Sequence, residues 1–170
     1  RAKSTFCSYV LGNRHDYSGQ VLFNDVPTST LKVRDWVEAR RLHISHLFQE
    51  LRLFPELTAF ENIVIKNKLT NFKSQEQIAM WFEQLGIADK MHERIGRMSF
   101  GQQQRVALIR ALVQPFDFLL VDEPISHLDD KNAVVMAEMM MKEAREQGAG
   151  VLVTSIGKHM DLPYERVVKL

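Results

Sequence analysis

The sequence has little cysteine, little net charge and no long apolar run, and each shortage excludes a class of protein. Cys7 is the single cysteine, so an internal disulfide is excluded and a reducing compartment is favoured. No apolar run approaches the length of a membrane-spanning helix, and no secretory signal pattern is present. The net charge of +1 gives no electrostatic reason to expect a nucleic-acid partner. These observations favour a soluble intracellular protein without direct membrane insertion.

The 170 residues, 45% of them hydrophobic, suit one domain with a substantial core, which we assign to residues 1–170. Predicted strands alternate with predicted helices, and most of the strands are apolar throughout. This pattern is typical of an α/β protein with a parallel sheet covered on both faces. The predicted strands are, in order, a strand and turn in SGQVLFNDVP, then LHISHLFQ, FDFLLVDEP, GVLVTSI and RVVKL.

Helical signals fill the rest of the chain. The first helix is predicted from Lys3 to Gly12, and a helical region extends from about residue 58 to residue 97. Within that region Ser74 and Gln77 are spaced for a capping box, and Gly86 is placed to end the helix. A further helix, KNAVVMAEMMMKEAREQGAG, is rich in methionine, for which core packing is favoured over a cofactor role. The apolar face expected for the Ser74 helix consists of Ile78, Trp81, Phe82 and Leu85.

Two adjacent carboxylates, Asp122 and Glu123, follow the apolar strand FLLV directly. Ligands of open parallel sheets bind beyond the carboxyl ends of the strands, where these acids are expected. A turn or helix cap explains one acid more easily than two. Hydrated Mg²⁺ held by Asp122 and a water molecule activated by Glu123 explain both. A metal site using His43 and His46 is disfavoured, because their segment is predicted to be a strand.

Two further segments are suited to binding phosphate. The residues AKST match the end of a phosphate-binding loop, in which Lys3 reaches the phosphates and Ser4 binds Mg²⁺. In MSFGQQQR, Ser99 can cap a helix that begins at Gly101, and such a helix start favours an anion. Each segment alone is a weak signal, because a capped helix needs no ligand.

The order of KST, FQELRLFPELTAFENI, MSFGQQQR, FLLVDEP and SHLDD resembles the nucleotide-binding domain of ATP-binding cassette (ABC) proteins. Within that family it is most similar to the lipoprotein-release, macrolide-efflux and cell-division transporters. The resemblance implies a P-loop NTPase fold with a mostly parallel sheet and an inserted helical subdomain at residues 58–97. It also implies that the amino-terminal strand and part of the phosphate loop are missing from this sequence.

The resemblance also implies roles for individual residues. Asp122 becomes the Walker B carboxylate, Glu123 the general base, and Gln49 the Q-loop glutamine that touches Mg²⁺ and the attacking water. Asp129 lies in the D-loop at a dimer interface. Ser4, Gln49 and Asp122 are thus the expected metal ligands. Phosphate and Mg²⁺ contacts are implied for Lys3, Ser4 and Thr5, and signature-motif contacts with the opposite subunit's ATP for Ser99, Gly101 and Gln102.

The implied cofactors are ATP and Mg²⁺, and the implied partners are a second ABC subunit, identical or paired, and membrane permease subunits. The protein would then lie on the cytoplasmic face of a membrane.

Three residues depart from the family pattern at positions that bear on hydrolysis. Ala2 and Phe100 stand where the family has glycine, and Ser155 stands where it has histidine. His159 would substitute for that histidine only after a loop rearrangement. A degenerate module that binds ATP without rapid hydrolysis is therefore the alternative to an ATPase. An ABC head domain of the DNA-repair or chromosome-organising type is disfavoured. Such proteins carry a long coiled-coil insertion between the Q-loop and the signature, whereas only residues 50–97 separate these motifs here.

Overall fold

The computed structural model describes residues 2–123, 130–155 and 160–169, apart from the side chains of Ala2 and Asp130. Asp129 and His159 lie outside these ranges. The helices are α1 (Ala2–Val10), α2 (Val33–Glu38), α3 (Ala59–Asn67), α4 (Gln75–Gln84), α5 (Phe100–Leu112) and α6 (Asp130–Gln147). The strands are β1 (Leu22–Phe23), β2 (Val26–Pro27), β3 (Ile44–Leu47), β4 (Phe118–Asp122) and β5 (Gly150–Thr154).

The main sheet has the order β3-β4-β5, and both strand pairs are parallel, as the apolar strands predicted. Leu119 and Val121 on β4 face the larger core, to which α5 and α6 contribute. Leu120, between them, faces the opposite way and packs with Leu11 at the end of α1. Because alternate residues of a strand point to opposite faces, helices cover the sheet on both sides.

The region between β3 and α5 is helical, in agreement with the sequence pattern. It contains α3, α4 and two single turns of 3-10 helix, at Ala88–Lys90 and Ile95–Arg97. In α4 the predicted apolar face is buried, with no member more than 5% exposed. Gly86 ends this helix with φ +66°, a conformation that costs other residues about 1–2 kcal/mol. Three of the four methionines of α6 also lie in the core, including Met136 and Met140 at 0% exposure.

Helix caps divide the region into defined elements. Ser74 accepts a hydrogen bond from the Gln77 backbone at 3.1 Å, which is one half of the predicted capping box. A complete capping box forms at α3. There the Glu61 backbone nitrogen donates to the Thr58 hydroxyl, and the Thr58 backbone nitrogen donates to the Glu61 carboxylate. Glutamate, with its charge, stabilises the positive end of the helix dipole as well as making the bond.

The structure differs from the sequence-based prediction at both ends of the chain. The predicted strand and turn in SGQVLFNDVP is an antiparallel hairpin of β1 and β2, in which Asn24 and Asp25 both have positive φ. Such a two-residue turn matches the twist of the flanking strands. The predicted strand RVVKL does not form in residues 166–169, where Val167 and Val168 are exposed.

Helix α2 and the π-helix that follows it, Ala39–His43, were not predicted. No helix in the described ranges is long and apolar enough to cross a bilayer.

Candidate active site

The carboxyl edge of the parallel sheet brings together residues from four segments that are distant in sequence. Register pairs Leu47 with Val121 and Asp122 with Thr154, so the three strands end side by side. Gln49 follows β3, Glu123 follows β4, and Ser155 follows β5. The first turns of α1 lie against this edge, because α1 packs on β4.

A chain of hydrogen bonds links three of the predicted site residues. The Ser4 hydroxyl lies 3.5 Å from the Gln49 amide oxygen, and the Gln49 amide nitrogen donates to Glu123 at 3.1 Å. Glu123 has φ +48°, and its backbone nitrogen donates to the Thr154 carbonyl at 2.9 Å. A non-glycine residue held at positive φ is strained, and such strain is concentrated at functional sites. The carboxylate of Glu123 is thus directed towards Gln49 and not into the sheet.

Asp122 is buried and is held by its neighbour on β5. Its side chain is 4% exposed, and the Thr154 hydroxyl donates to it at 2.5 Å. Cys7 on α1 hydrogen-bonds to the same threonine. Burial, and then the charge of Asp122, raise the pKa of the Cys7 thiol to about 11, so the thiol is protonated at neutral pH.

Lys3 lies at the same edge as the acids. Its ammonium donates to the backbone carbonyl of Ser155, so the start of α1 is joined to the end of β5. Thr5 follows on α1 and is half-buried. The predictions for Asp129 and for His159 concern residues outside the described ranges. The structure therefore brings Lys3, Ser4, Gln49, Asp122, Glu123 and Ser155 to one edge of the sheet.

The predicted signature residues lie at the start of α5. Ser99 and Gln102 form a complete capping box, with bonds of 2.9 and 3.3 Å between each side chain and the other's backbone. Gly101 lies in the first turn, and the neighbouring Phe100 is 43% exposed. The helix start is thus capped, and it presents an aromatic ring to solvent where the resemblance implies glycine.

The loop after Gln49 is held at two points. Leu51 and Arg52 both have positive φ, and the Arg110 guanidinium donates to their two carbonyl oxygens. Further on, the side-chain amide of the buried Asn62 accepts a hydrogen bond from the Phe54 backbone nitrogen at 2.8 Å. The same amide donates a hydrogen bond to the Phe54 backbone oxygen at 3.1 Å. These contacts connect the loop of Gln49 to α5 and α3. They were not predicted from the sequence, although the asparagine among the apolar residues of α3 is a signal for such contacts.

A cavity of about 480 Å³ lies beside this loop, between the β3 edge and α3. Its lining includes four cationic side chains, and among the residues that the structure describes no carboxylate lines it. Burial, with a further contribution from Arg52, lowers the pKa of Arg110 to about 10. Burial, and then Arg110, likewise lower the pKa of Lys66. The crowded cations are Arg40, Arg52, Lys66 and Arg110, and the apolar lining includes Phe48, Phe54, Ile65 and Leu69.

The donors at the sheet edge suit magnesium. Ser4 and Gln49 supply neutral oxygens 3.5 Å apart, and Asp122 supplies a carboxylate. Mg²⁺ prefers one or two carboxylates together with neutral oxygen ligands and the phosphates of a substrate. The residues present therefore fit the ion that the resemblance implies.

Comparison with known proteins agrees with this geometry. The sequence profile described as ABC transporter matches residues 2–126. The chain belongs to the ABC transporter family. Its nucleotide-binding domain is 29% identical to the lipoprotein-releasing system ATP-binding protein LolD of Paramagnetospirillum magneticum, covering 89% of this chain and 69% of that protein. It is 32% identical to the phosphonates import ATP-binding protein PhnC 1 of a Synechococcus strain, covering 89% and 62%.

The solved structures give the same result for the fold. The ABC cassette MJ0796, in a dimeric post-hydrolysis state bound to ADP and Pi, superposes with a TM-score of 0.73 at 28% identity. The match covers 89% of this chain and 69% of that one. The predicted P-loop NTPase fold is therefore confirmed, and so is the assignment to ABC domains of the lipoprotein-release type. The chain spans 52% of some of its relatives and about two thirds of others.

Proposed function

We propose that this ABC domain is the ATP-hydrolysing subunit of a membrane transporter. The observation that supports the proposal best is the hydrogen-bonded series Ser4, Gln49 and Glu123, which lies beside Asp122 at the carboxyl edge of the sheet. A turn or cap does not require an amide that bridges a hydroxyl on α1 and a carboxylate just after β4. In a site that orients water between a phosphate and a base, an amide in this position can hold the water beside the base.

Each residue has one role in the proposed reaction. Lys3 and the start of α1 bind the phosphates of ATP, and Lys3 leaves the Ser155 carbonyl to do so. Gln49 orients a water molecule, whose oxygen attacks the γ-phosphorus while the bond to the ADP oxygen breaks. Glu123 accepts the proton of that water. Ser4, Gln49 and Asp122 would hold Mg²⁺, which would neutralise charge on the phosphates.

The proposed partners are a second ABC subunit and the permease. The signature residues Ser99, Gly101 and Gln102 contact the ATP of the opposite subunit, with Asp129 at the interface. In this proposal the helical region at residues 58–97 faces the permease, and the protein lies on the cytoplasmic side of a membrane. The cavity beside α3 supports this orientation, because its cationic and apolar lining suits an acidic, partly apolar segment of a partner.

The replacement Glu123→Gln tests the proposal in protein of native length. Glutamine keeps the size and the hydrogen bond to Gln49 but cannot take up a proton, so ATP binding is expected to persist. Turnover is expected to fall by about 100-fold or more, which is the usual contribution of a general base. Phosphate release and nucleotide binding are the two measurements.

The matched control is Glu83→Gln, an exposed glutamate on α4, which is expected to leave turnover unchanged. Full activity in Glu123→Gln would disprove the assignment of the base. ATP binding without turnover in the unmodified protein would instead favour the degenerate binding module, which the Phe100 and Ser155 departures suggested.

A further inference from the structure

Three potential metal-ligating side chains meet on the α1 face of the sheet. The sulfur of Cys7, an imidazole nitrogen of His46 and a carboxylate oxygen of Asp122 all lie within 4.8 Å of one another. The strand register explains this meeting, because His46 pairs with Leu120, and Leu120 and Asp122 point to the same face of β4. Helix α1 crosses that face and brings Cys7 to it.

The imidazole of His46 lacks the partners that a buried ring normally has. Both ring nitrogens are shielded from solvent, and neither has a hydrogen-bond partner within the described ranges. The ring is instead packed against Phe48, with centroids 3.9 Å apart. Buried polar atoms without partners are rare, and an ion is one of the few explanations for them. A neutral imidazole with a free lone pair is a good metal ligand.

We propose that Cys7, His46 and Asp122 form a binding site for a soft divalent transition-metal ion of the zinc class. Sulfur, nitrogen and carboxylate oxygen are the ligands that zinc prefers, whereas the thiol is a poor ligand for Mg²⁺. Binding forms metal–sulfur, metal–nitrogen and metal–oxygen bonds, and it releases the thiol proton to water. The ligand atoms must close by about 1 Å, since ligands in a tetrahedral zinc site are about 3.5 Å apart.

Thr154 supports this site from outside the ligand set. Its hydroxyl donates to Asp122 at 2.5 Å, and it also hydrogen-bonds to Cys7. Groups in this position orient the ligands of metal sites. The site lies outside the proposed ATPase reaction but shares Asp122 with it. If the proposed function holds, an ion bound here therefore competes with Mg²⁺ for one carboxylate.

Titration with Co²⁺, a spectroscopic substitute for zinc, tests the proposal without ATP. The unmodified protein is expected to develop a thiolate-to-cobalt charge-transfer absorption that saturates at one equivalent. Cys7→Ser is expected to abolish the band. His46→Phe keeps a ring of similar shape against Phe48, and it is expected to weaken binding by at least about tenfold. His43→Phe, which alters the exposed neighbouring histidine, is the matched control and is expected to bind like the parent.

A second measurement needs no variant. One equivalent of Zn²⁺ is expected to raise the midpoint of thermal unfolding, because binding to the folded site stabilises it, and Mg²⁺ at the same concentration is not. Absence of both the band and this stabilisation would overturn the proposal. A band that survives Cys7→Ser would overturn it too. Because neither readout involves nucleotide, failure here is distinguishable from failure of the ATPase assignment.

Discussion

At the residue scale, the packing around Gly12 leaves no room for a Cβ atom. It ends α1 with φ +66°, and a Cβ added there would lie 2.3 Å from the Trp36 ring. Backbone strain and steric overlap therefore act together at this position. The buried Trp36 belongs to α2, so the glycine allows α1 and α2 to approach each other closely.

We expect Gly12→Ala to lower the free energy of unfolding by about 2–4 kcal/mol, combining left-handed strain with overpacking. Gly86→Ala is the matched control, because Gly86 has the same φ of +66° but no atom of the described part of the chain within 4 Å of an added Cβ. It is expected to cost only about 1–2 kcal/mol. Urea denaturation of both variants measures the difference. Equal losses would mean that Trp36 moves aside freely.

At the scale of elements, one ion pair joins the helical region to α6. Lys73, just before α4, contacts the carboxylate of Glu143, which is 4% exposed. The Lys73 ammonium also lies 5.3 Å from the centre of the Trp81 ring. A buried carboxylate that loses its cation is left uncompensated, which is a large energetic cost.

Lys73→Met is therefore expected to destabilise the protein by about 3–5 kcal/mol, because it leaves Glu143 buried without its cation. The double variant Lys73→Met with Glu143→Met is expected to recover most of that loss, since both charges are gone. Lys142→Met is the control on the same helix, as Lys142 forms an exposed pair with Glu146, and it should cost less than about 1 kcal/mol. Thermal or urea unfolding would contradict the interpretation if the double variant were no more stable than Lys73→Met.

The elements that could be predicted from sequence are those whose signal is local. Ile78, Trp81, Phe82 and Leu85 repeat at helical spacing, and all four are buried as expected, the first three in α4 and Leu85 at its end. The apolar run before Asp122 likewise identified β4, which is the central strand of the parallel sheet. Parallel pairing followed from the alternation of strands with helices.

The features that were missed depend on contacts between distant residues. RVVKL has strand propensity, but Val167 and Val168 remain exposed, and propensity without a partner strand does not make a strand. The same limit applies to the site. Its residues were predicted by spacing and resemblance, whereas the placement of His46 beside Cys7 and Asp122 follows from strand register, which the sequence does not specify locally.

At the scale of the whole molecule, the signature at the start of α5 predicts an assembly. Ser99 caps α5 and, in the proposed function, contacts ATP across a dimer interface. In the Glu123→Gln protein, which should retain ATP, added ATP is expected to shift a monomer towards a dimer in light scattering. Adding Ser99→Arg is expected to abolish that shift, because a bulky cation then occupies the interface.

The matched control is Ser74→Arg, which removes the serine cap of α4 away from the signature. Both variants lose one capping interaction, worth about 1 kcal/mol, so a general loss of stability affects them alike. Dimerisation should therefore persist in Ser74→Arg. An undiminished shift in Ser99→Arg would disprove the role of the signature.

The pairing of β3 with β4 also has a consequence for the order of folding events. Ile44 pairs with Phe118, so about 70 residues, including α3, α4 and α5, must be looped out before this pair of strands can form. Helices form from local contacts much faster than parallel strands find each other. Compaction of the helical region shortens the loop that remains to be closed. We therefore expect the helices to collapse first and the sheet edge with its acids to be completed last, so that a newly made chain acquires its proposed catalytic groups only when the rest of the domain is in place.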